Sequence, residues 1–124
     1  MASRTAQGLP FPPRARLLKH ADFDRVYREG RRHYSSNLAV FYLARQSGAG
    51  PRVGFTVGRA AGGAVQRNRI RRRLREAVRL ELAQLPVAVD VVINPKRSVL
   101  AADFAELRAE VARAFEKISG SGQR

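Results

Sequence analysis

Apolar residues recur along this chain with two different periods, and the switches between them predict seven elements. Ala21–Glu29 sets Phe23, Val26 and Tyr27 at i, i+3 and i+4, one face of a helix, and Gly30 follows as its stop. Arg31–Ser35 reads as a short strand. In Asn37–Ala44 both alternating sets are apolar, Leu38, Val40 and Tyr42 on one side and Ala39, Phe41 and Leu43 on the other, as in a strand covered on both faces. Gly48, Gly50 and Pro51 then mark a turn that predicts a hairpin with the strand Arg52–Val57. There Val53, Phe55 and Val57 share one face. Gly54, Thr56 and Gly58 share the other, which is small enough for a helix or a nucleic-acid backbone to come close.

After Gly62 and Gly63 the period becomes helical from Ala64 to Leu85, with Pro86 as the stop. Ile70, Leu74, Ala77, Val78 and Leu85 form the apolar stripe, and Asn68, Arg69, Arg72, Arg75 and Arg79 fall mainly opposite. Arg67 is the exception, falling with the stripe at its N-terminal end and so pointing along the sheet. Val87–Ile93 is an apolar, β-branched run broken by Asp90, a buried strand by pattern. Strand, helix and strand in succession predict a parallel pair. Asp103 and Glu106 form an Asp-x-x-Glu variant of the capping box ahead of a last helix, with Phe104, Leu107, Val111, Ala114, Phe115 and Ile118 along its stripe. The expectation is one α+β domain over residues 14–118, α-β-β-β-α-β-α, a sandwich of helices and a four-stranded mixed sheet. Residues 1–13 and 119–124, rich in Pro, Gly and Ser, are expected to be flexible. No internal repeat is evident.

Charge narrows the function. Up to Leu80 there are 18 basic residues against Asp22, Asp24, Glu29 and Glu76, a surplus of 14, whereas the remainder balances six against six. So one-sided a distribution points to a polyanion, met by the first two thirds of the chain. Of the basic residues 21 are Arg, whose planar fork pairs with phosphate and stacks on bases, although a GC-rich genome would also favour Arg codons. Gln66–Arg79 concentrates seven Arg with one acid, a repulsive arrangement for a bare helix that phosphates relieve. Gly58–Gly63 leads into its N-terminus, where free N–H groups favour anions. Phe23, Tyr27 and Tyr42 could form an aromatic wall for unpaired bases, although each taken singly is more often core.

Other chemistry is poorly supplied. Cysteine is absent, which removes disulfides, thiolate metal sites and cysteine nucleophiles. Asp22 and Asp24 suit the positive end of a helix, Asp90 stands alone in its strand, and His20 and His33 lack an acid at motif spacing. No phosphate-binding glycine loop, nucleophile elbow or metal-ligand spacing occurs. No catalytic or metal-binding residue is therefore expected in the polypeptide. Leu85–Ile93 is too short to span a bilayer and MASRTAQGLPFPPR lacks an apolar signal segment, so a cytoplasmic protein is expected.

DFDRVYREGRR, RVGFTVGR and above all AVQRNRIRRRLREAVR closely resemble the protein subunit of bacterial ribonuclease P, in order from about Arg16 to Ile118. The resemblance implies a small basic partner of a catalytic RNA, the two together cutting precursor tRNA endonucleolytically to remove the 5′ leader. Chemistry would then lie with the RNA and its magnesium ions, with no cofactor in the protein itself. It further implies that Arg67, Asn68 and Arg69 lie near the cleavage region, that Ile70, Arg71, Arg72 and Arg73 continue this helix, and that Phe23, Tyr27 and Tyr42 surround a cleft for the single-stranded leader. Arg59 and Arg75 complete the expected RNA-binding set and Arg52 the expected cleft. The fold implied belongs with a ribosomal small-subunit protein domain and has a left-handed parallel crossover, against the general rule. Two departures stand out. TVGRAAGG at Thr56–Gly63 keeps only Arg59 of the family's basic cluster, leaving Arg31, Arg32 and Arg52 to compensate, and Asn94-Pro95-Lys96-Arg97 replaces the usual Arg-Pro. A structural RNA-binding protein and a protein-only nuclease are the competing readings, the latter opposed by the lack of a catalytic cluster.

Overall fold

The computed structural model describes residues 15–45, 50–85 and 88–122. The elements follow the predicted order: α1 His20–Glu29, β1 Arg31–Tyr34, β2 Leu38–Ala44, β3 Arg52–Phe55, α2 Ala64–Glu81, β4 Val89–Pro95 and α3 Phe104–Gly122, with short 3-10 turns at Arg59–Ala61, Leu82–Gln84 and Arg97–Leu100. Residues 119–122 are helical, so α3 continues past the Ile118 at which its apolar stripe ends, in place of the expected loose tail. The expectations for residues 1–13, Gly48, Pro86 and residues 123–124 lie outside the described residues.

The sheet order is β1-β2-β4-β3. β3 and β4 pair in parallel, as predicted for strands joined through a helix. The expected β2–β3 hairpin does not form, because β4 lies between those strands and pairs antiparallel with β2 from Leu38↔Pro95 to Ala44↔Val89. Val89–Ile93 are buried on both faces, so the strand that gains most from the centre takes it. The outer edge of β3 is met by the preceding segment, through an Arg16↔Val53 bridge and Leu17 N–H donating to Val53 O at 3.0 Å.

Helices cover both faces. On one, Ile70, Leu74, Ala77 and Val78 of α2 and Leu107, Val111, Ala114, Phe115 and Ile118 of α3 pack on Leu38, Val40, Tyr42, Val53, Val91 and Ile93. Burying each Leu, Ile, Val or Phe contributes about 1.5–3 kcal/mol, so this layer is the main source of stability. The other face is smaller: Val26, Phe23 and Tyr27 of α1 and Leu17 meet Val92, Phe41 and Leu43. Here Gly54 is needed for space, since a Cβ would overlap the Phe23 ring and press on the Leu17 carbonyl. The small-residue face of β3 thus receives α1.

Glu110 is buried in the α3 stripe. It accepts from the Ser35 hydroxyl, from Asn37 N–H at 2.8 Å and from Asn37 Nδ2 at 2.8 Å, fastening the β1–β2 turn to α3. Burial pushes its carboxyl up, but these donors and Arg113 outweigh burial and hold it below its ordinary value. A group lowered on folding stabilises fully above its unfolded value and loses that contribution as pH falls through the folded one. Denaturant unfolding is expected to show stability declining on acidification below the ordinary carboxylate range. Glu110→Gln should reduce that decline and, at neutral pH, cost about 1–3 kcal/mol.

Candidate nucleic-acid interface

α2 presents the site. Its stripe anchors it to the sheet, and from Arg67 onward the remainder of the helix surface is dominated by guanidinium groups. Asn68, Arg69, Arg72 and Arg75 are exposed, Arg71 is half-buried and donates to Asn68 Oδ1 at 2.9 Å, and Arg59 is exposed on the turn before the helix. Among the described residues the acids of α2 are committed elsewhere, Glu76 to Arg79 at 2.6 Å and Glu81 to Arg108 at 2.6 Å. Arg69, Arg72 and Arg75 therefore face solvent without an acid partner. Arg67 behaves as expected from its angle: it is half-buried, and its Nε is fully buried with no hydrogen-bond partner.

Arg73, expected to bind RNA, is engaged within the fold. Its Nη1 donates to Leu100 O at 3.1 Å and its Nη2 to Ala102 O, tying α2 to the turn before α3. Three residues after Ile70 and four before Ala77, it sits at the border of the buried stripe, a signal available in the sequence.

Two depressions flank α2. A groove of about 220 Å³ lies toward α1, where Arg71 and Arg75 face Phe23, Gly54 and Phe55. A shallower one of about 380 Å³ lies on the α3 side, lined by Arg69, Arg72, Arg73, Glu76 and Phe104. The helix thus offers cations to two surfaces.

The aromatic wall is real, but one member changes. Phe23 and Tyr27 line the α1 side of the sheet. Tyr42, expected beside them, is 7% exposed within the core on the opposite face. Its neighbour Phe41 takes the place, edge-to-face with Tyr27 at 5.0 Å between ring centroids. Successive strand residues point to opposite faces, so an error of one position moves the ring through the sheet. The Tyr27 hydroxyl donates to Asn94 Oδ1 at 2.8 Å and lies 2.9 Å from the Thr56 hydroxyl, which fixes the ring over the ends of β3 and β4.

Arg52 is likewise engaged. Its Nε and Nη2 donate to Asp90 Oδ1 and Oδ2 at 2.9 and 2.8 Å, and Nη1 lies 3.5 Å from Asp22 Oδ2. Hydrogen bonding to Asp90 holds this guanidinium above its ordinary value despite burial, so it stays charged. Asp90 also accepts from Arg45 at 2.6 Å, and Asp22 from Arg25 at 3.3 Å. Asp90 is therefore no solitary acid but the centre of an ion network, and Arg52, expected in the cleft, is engaged in that network. His20 also has an acid, Asp24, at 3.3 Å.

Among the described residues no three His, Asp or Glu side chains gather to hold a metal ion, and none of their helices is long and apolar enough to cross a membrane. A mixed sheet with an aromatic cluster on one face and an arginine-bearing helix on the other defines an RNA-binding α+β domain.

The sequence profile of the ribonuclease P family matches residues 11–119. The chain is 42% identical over 109 residues to the ribonuclease P protein component of Acidothermus cellulolyticus, covering 87% of this chain and 91% of that one. It is 40% identical over 102 residues to that of Symbiobacterium thermophilum, covering 82% and 89%. The solved ribonuclease P protein of Thermotoga maritima superposes with a TM-score of 0.75 at 25% identity, over 83% of this chain and 96% of that one. That of Staphylococcus aureus, at 24% identity and a TM-score of 0.72 over 85% and 94%, shares the fold. The chain belongs to the ribonuclease P protein family.

Proposed function

We propose that this chain is the protein subunit that, with a catalytic RNA, removes the 5′ leader from precursor tRNA, and that the polypeptide binds the leader and supports the RNA. The observation that carries the reading is the row of exposed, acid-free guanidinium groups on α2, whose Arg75, with Arg71, shares a groove with Phe23 of the aromatic cluster on the opposite face of the sheet. Arg67, Asn68 and Arg69, at the start of α2, meet the RNA near the cut. Arg59, Arg71, Arg72 and Arg75 hold phosphates. The aromatic face stacks unpaired leader bases, which suits single-stranded RNA of varied sequence. Cleavage chemistry belongs to the RNA with magnesium ions that it holds, because the acids of this chain are dispersed or committed to arginines. The partners are then the ribonuclease P RNA and the precursor tRNA leader, with no membrane involved, and the compartment is the cytoplasm.

The test is cleavage of a leader-bearing precursor tRNA at low magnesium by the RNA alone, the protein alone, and both. Correct 5′ cleavage that needs or is strongly accelerated by both is expected. No stimulation of the organism's own RNA would favour a purely structural RNA-binding role, and cutting by RNA-free protein would overturn the assignment of chemistry to the RNA. Removing the Tyr27 or Phe41 ring should weaken leader-bearing substrate and spare mature tRNA, whereas Tyr42, being core, should show its loss in stability.

A further inference from the structure

Tyr34 is an aromatic side chain that the leader cleft leaves unused. It ends β1, the edge strand, with 61% of its surface exposed. An exposed ring contiguous with further rings makes an apolar patch of the kind that marks a binding surface. Tyr34 lies edge-to-face with Phe41, centroids 6.4 Å apart, and Phe41 in turn meets Tyr27, so three rings run from α1 to the sheet edge.

Register places all of this on one face. Tyr34 pairs with Ala39, and Ala39 with Asn94, which is bonded to Tyr27; directly paired residues point to the same side. Between Tyr34 and Asn94 the floor is therefore only the methyl group of half-buried Ala39, a gap two strand spacings wide, about 10 Å. Cations stand at its rim. Arg32, two residues before Tyr34 on the same face of β1, is exposed, and the exposed Lys96 donates from Nζ to the carbonyl of Ser35, the residue after Tyr34, at 3.4 Å.

We propose that Tyr34 is a further base-stacking residue for single-stranded RNA, extending the leader track across Ala39 to the β1 edge, with Arg32 and Lys96 meeting the phosphates. The proposal rests on the leader-binding reading and adds a distal position to it. Thr56, Asn94, Ala39 and Tyr34 form a row across the whole sheet, with Thr56 three residues before Arg59 and the approach to α2. If the cut lies near the start of α2, Tyr34 meets the leader nucleotides farthest from it.

The test uses the assembled protein–RNA enzyme and precursor tRNAs whose leaders lengthen one nucleotide at a time. Tyr34→Ala is expected to weaken binding about five- to tenfold once the leader reaches the edge, and to leave short-leader and mature tRNA unchanged. Tyr34→Phe, which keeps the ring, should restore wild-type affinity. Tyr27→Leu and Phe41→Leu, measured in parallel, should lose affinity at shorter leader lengths. If those two lose affinity and Tyr34→Ala does not, the extension is wrong while the cleft stands. If none of the three responds to the leader, the leader-binding reading itself falls and the extension with it. A Tyr34→Ala loss equal for mature tRNA, or a loss in affinity for the RNA subunit, would assign the ring to a different surface and overturn the proposal.

Discussion

Asp90→Ala is expected to destabilise the domain by about 3–5 kcal/mol, the largest loss from any single polar substitution in this structure. The carboxylate is 2% exposed and takes three charged hydrogen bonds, one from Arg45 and two from Arg52. Alanine would remove all three and leave two guanidinium groups in a poorly solvated site, with the Arg45 side chain only 13% exposed. Arg45, the more buried of the two, keeps the Val89 and Gly50 carbonyls, whereas Arg52, 29% exposed, keeps Asp22 at 3.5 Å, so the loss falls mainly on the Arg45 side of the network. The loss reports the uncompensated cations more than the worth of the pairs. Asp90→Asn, which fills the same volume, should recover little, since it presents one acceptor oxygen where two are used. Equilibrium denaturation at neutral pH reads the effect. A loss under 1 kcal/mol for Asp90→Ala would mean that water reaches the arginines and that the network is peripheral. Because Asp22 hangs α1 on the same network, a smaller defect in leader-dependent binding should accompany the stability loss.

The helices were legible because each has an apolar stripe that only the helical period satisfies, and the buried strands because their apolar, β-branched runs are short and bounded by turn residues. Helix α2 is the clearest case: Ile70, Leu74, Ala77 and Val78 are buried as their angles require. Pairing was not legible by the same means. Gly50 and Pro51 advertise a turn, and a turn between two strands suggests a hairpin, but which strand lies beside which is decided by burial over the whole sheet. The β-branched run at Val89–Ile93, broken only by Asp90 and buried on both faces, was the contrary signal, since only a central position covers a strand on both sides. The choice between Phe41 and Tyr42 was undetermined for a related reason. Both alternating sets of β2 are apolar, so the pattern does not say which faces α1, and only the register against β1 and β4 does. The structural roles of Asp90 and Glu110 are not legible in the sequence, because their partners lie far along the chain, at Arg45 and Arg52 and at Ser35 and Asn37. The arginine face of α2 needed no partner to be recognised, which is why the RNA-binding character was visible from composition alone and the cleft wall was not.

That arginine face supplies the second large effect, and it runs opposite to stability. Replacing Arg69, Arg72 and Arg75 together by alanine is expected to lower RNA affinity about a hundredfold at moderate salt, at about 1 kcal/mol for each phosphate that is no longer held. The log–log salt dependence should flatten by roughly one unit per arginine, since each phosphate pairing releases condensed counterions. The same substitution removes like charges from neighbouring turns of one helix and introduces the best helix former. The three side chains are exposed and have no acid partner among the described residues, so nothing in the fold depends on them. Thermal unfolding of the free protein should therefore be unchanged or shifted upward while binding collapses. Arg124→Ala, a change in net charge at the end of the chain, should move neither reading appreciably. If the triple variant keeps the wild-type salt slope, the phosphates are held elsewhere and α2 is not the interface. If it binds poorly and also unfolds early, the arginines hold the helix in place, and the reading of α2 as a surface charged for its ligand is wrong.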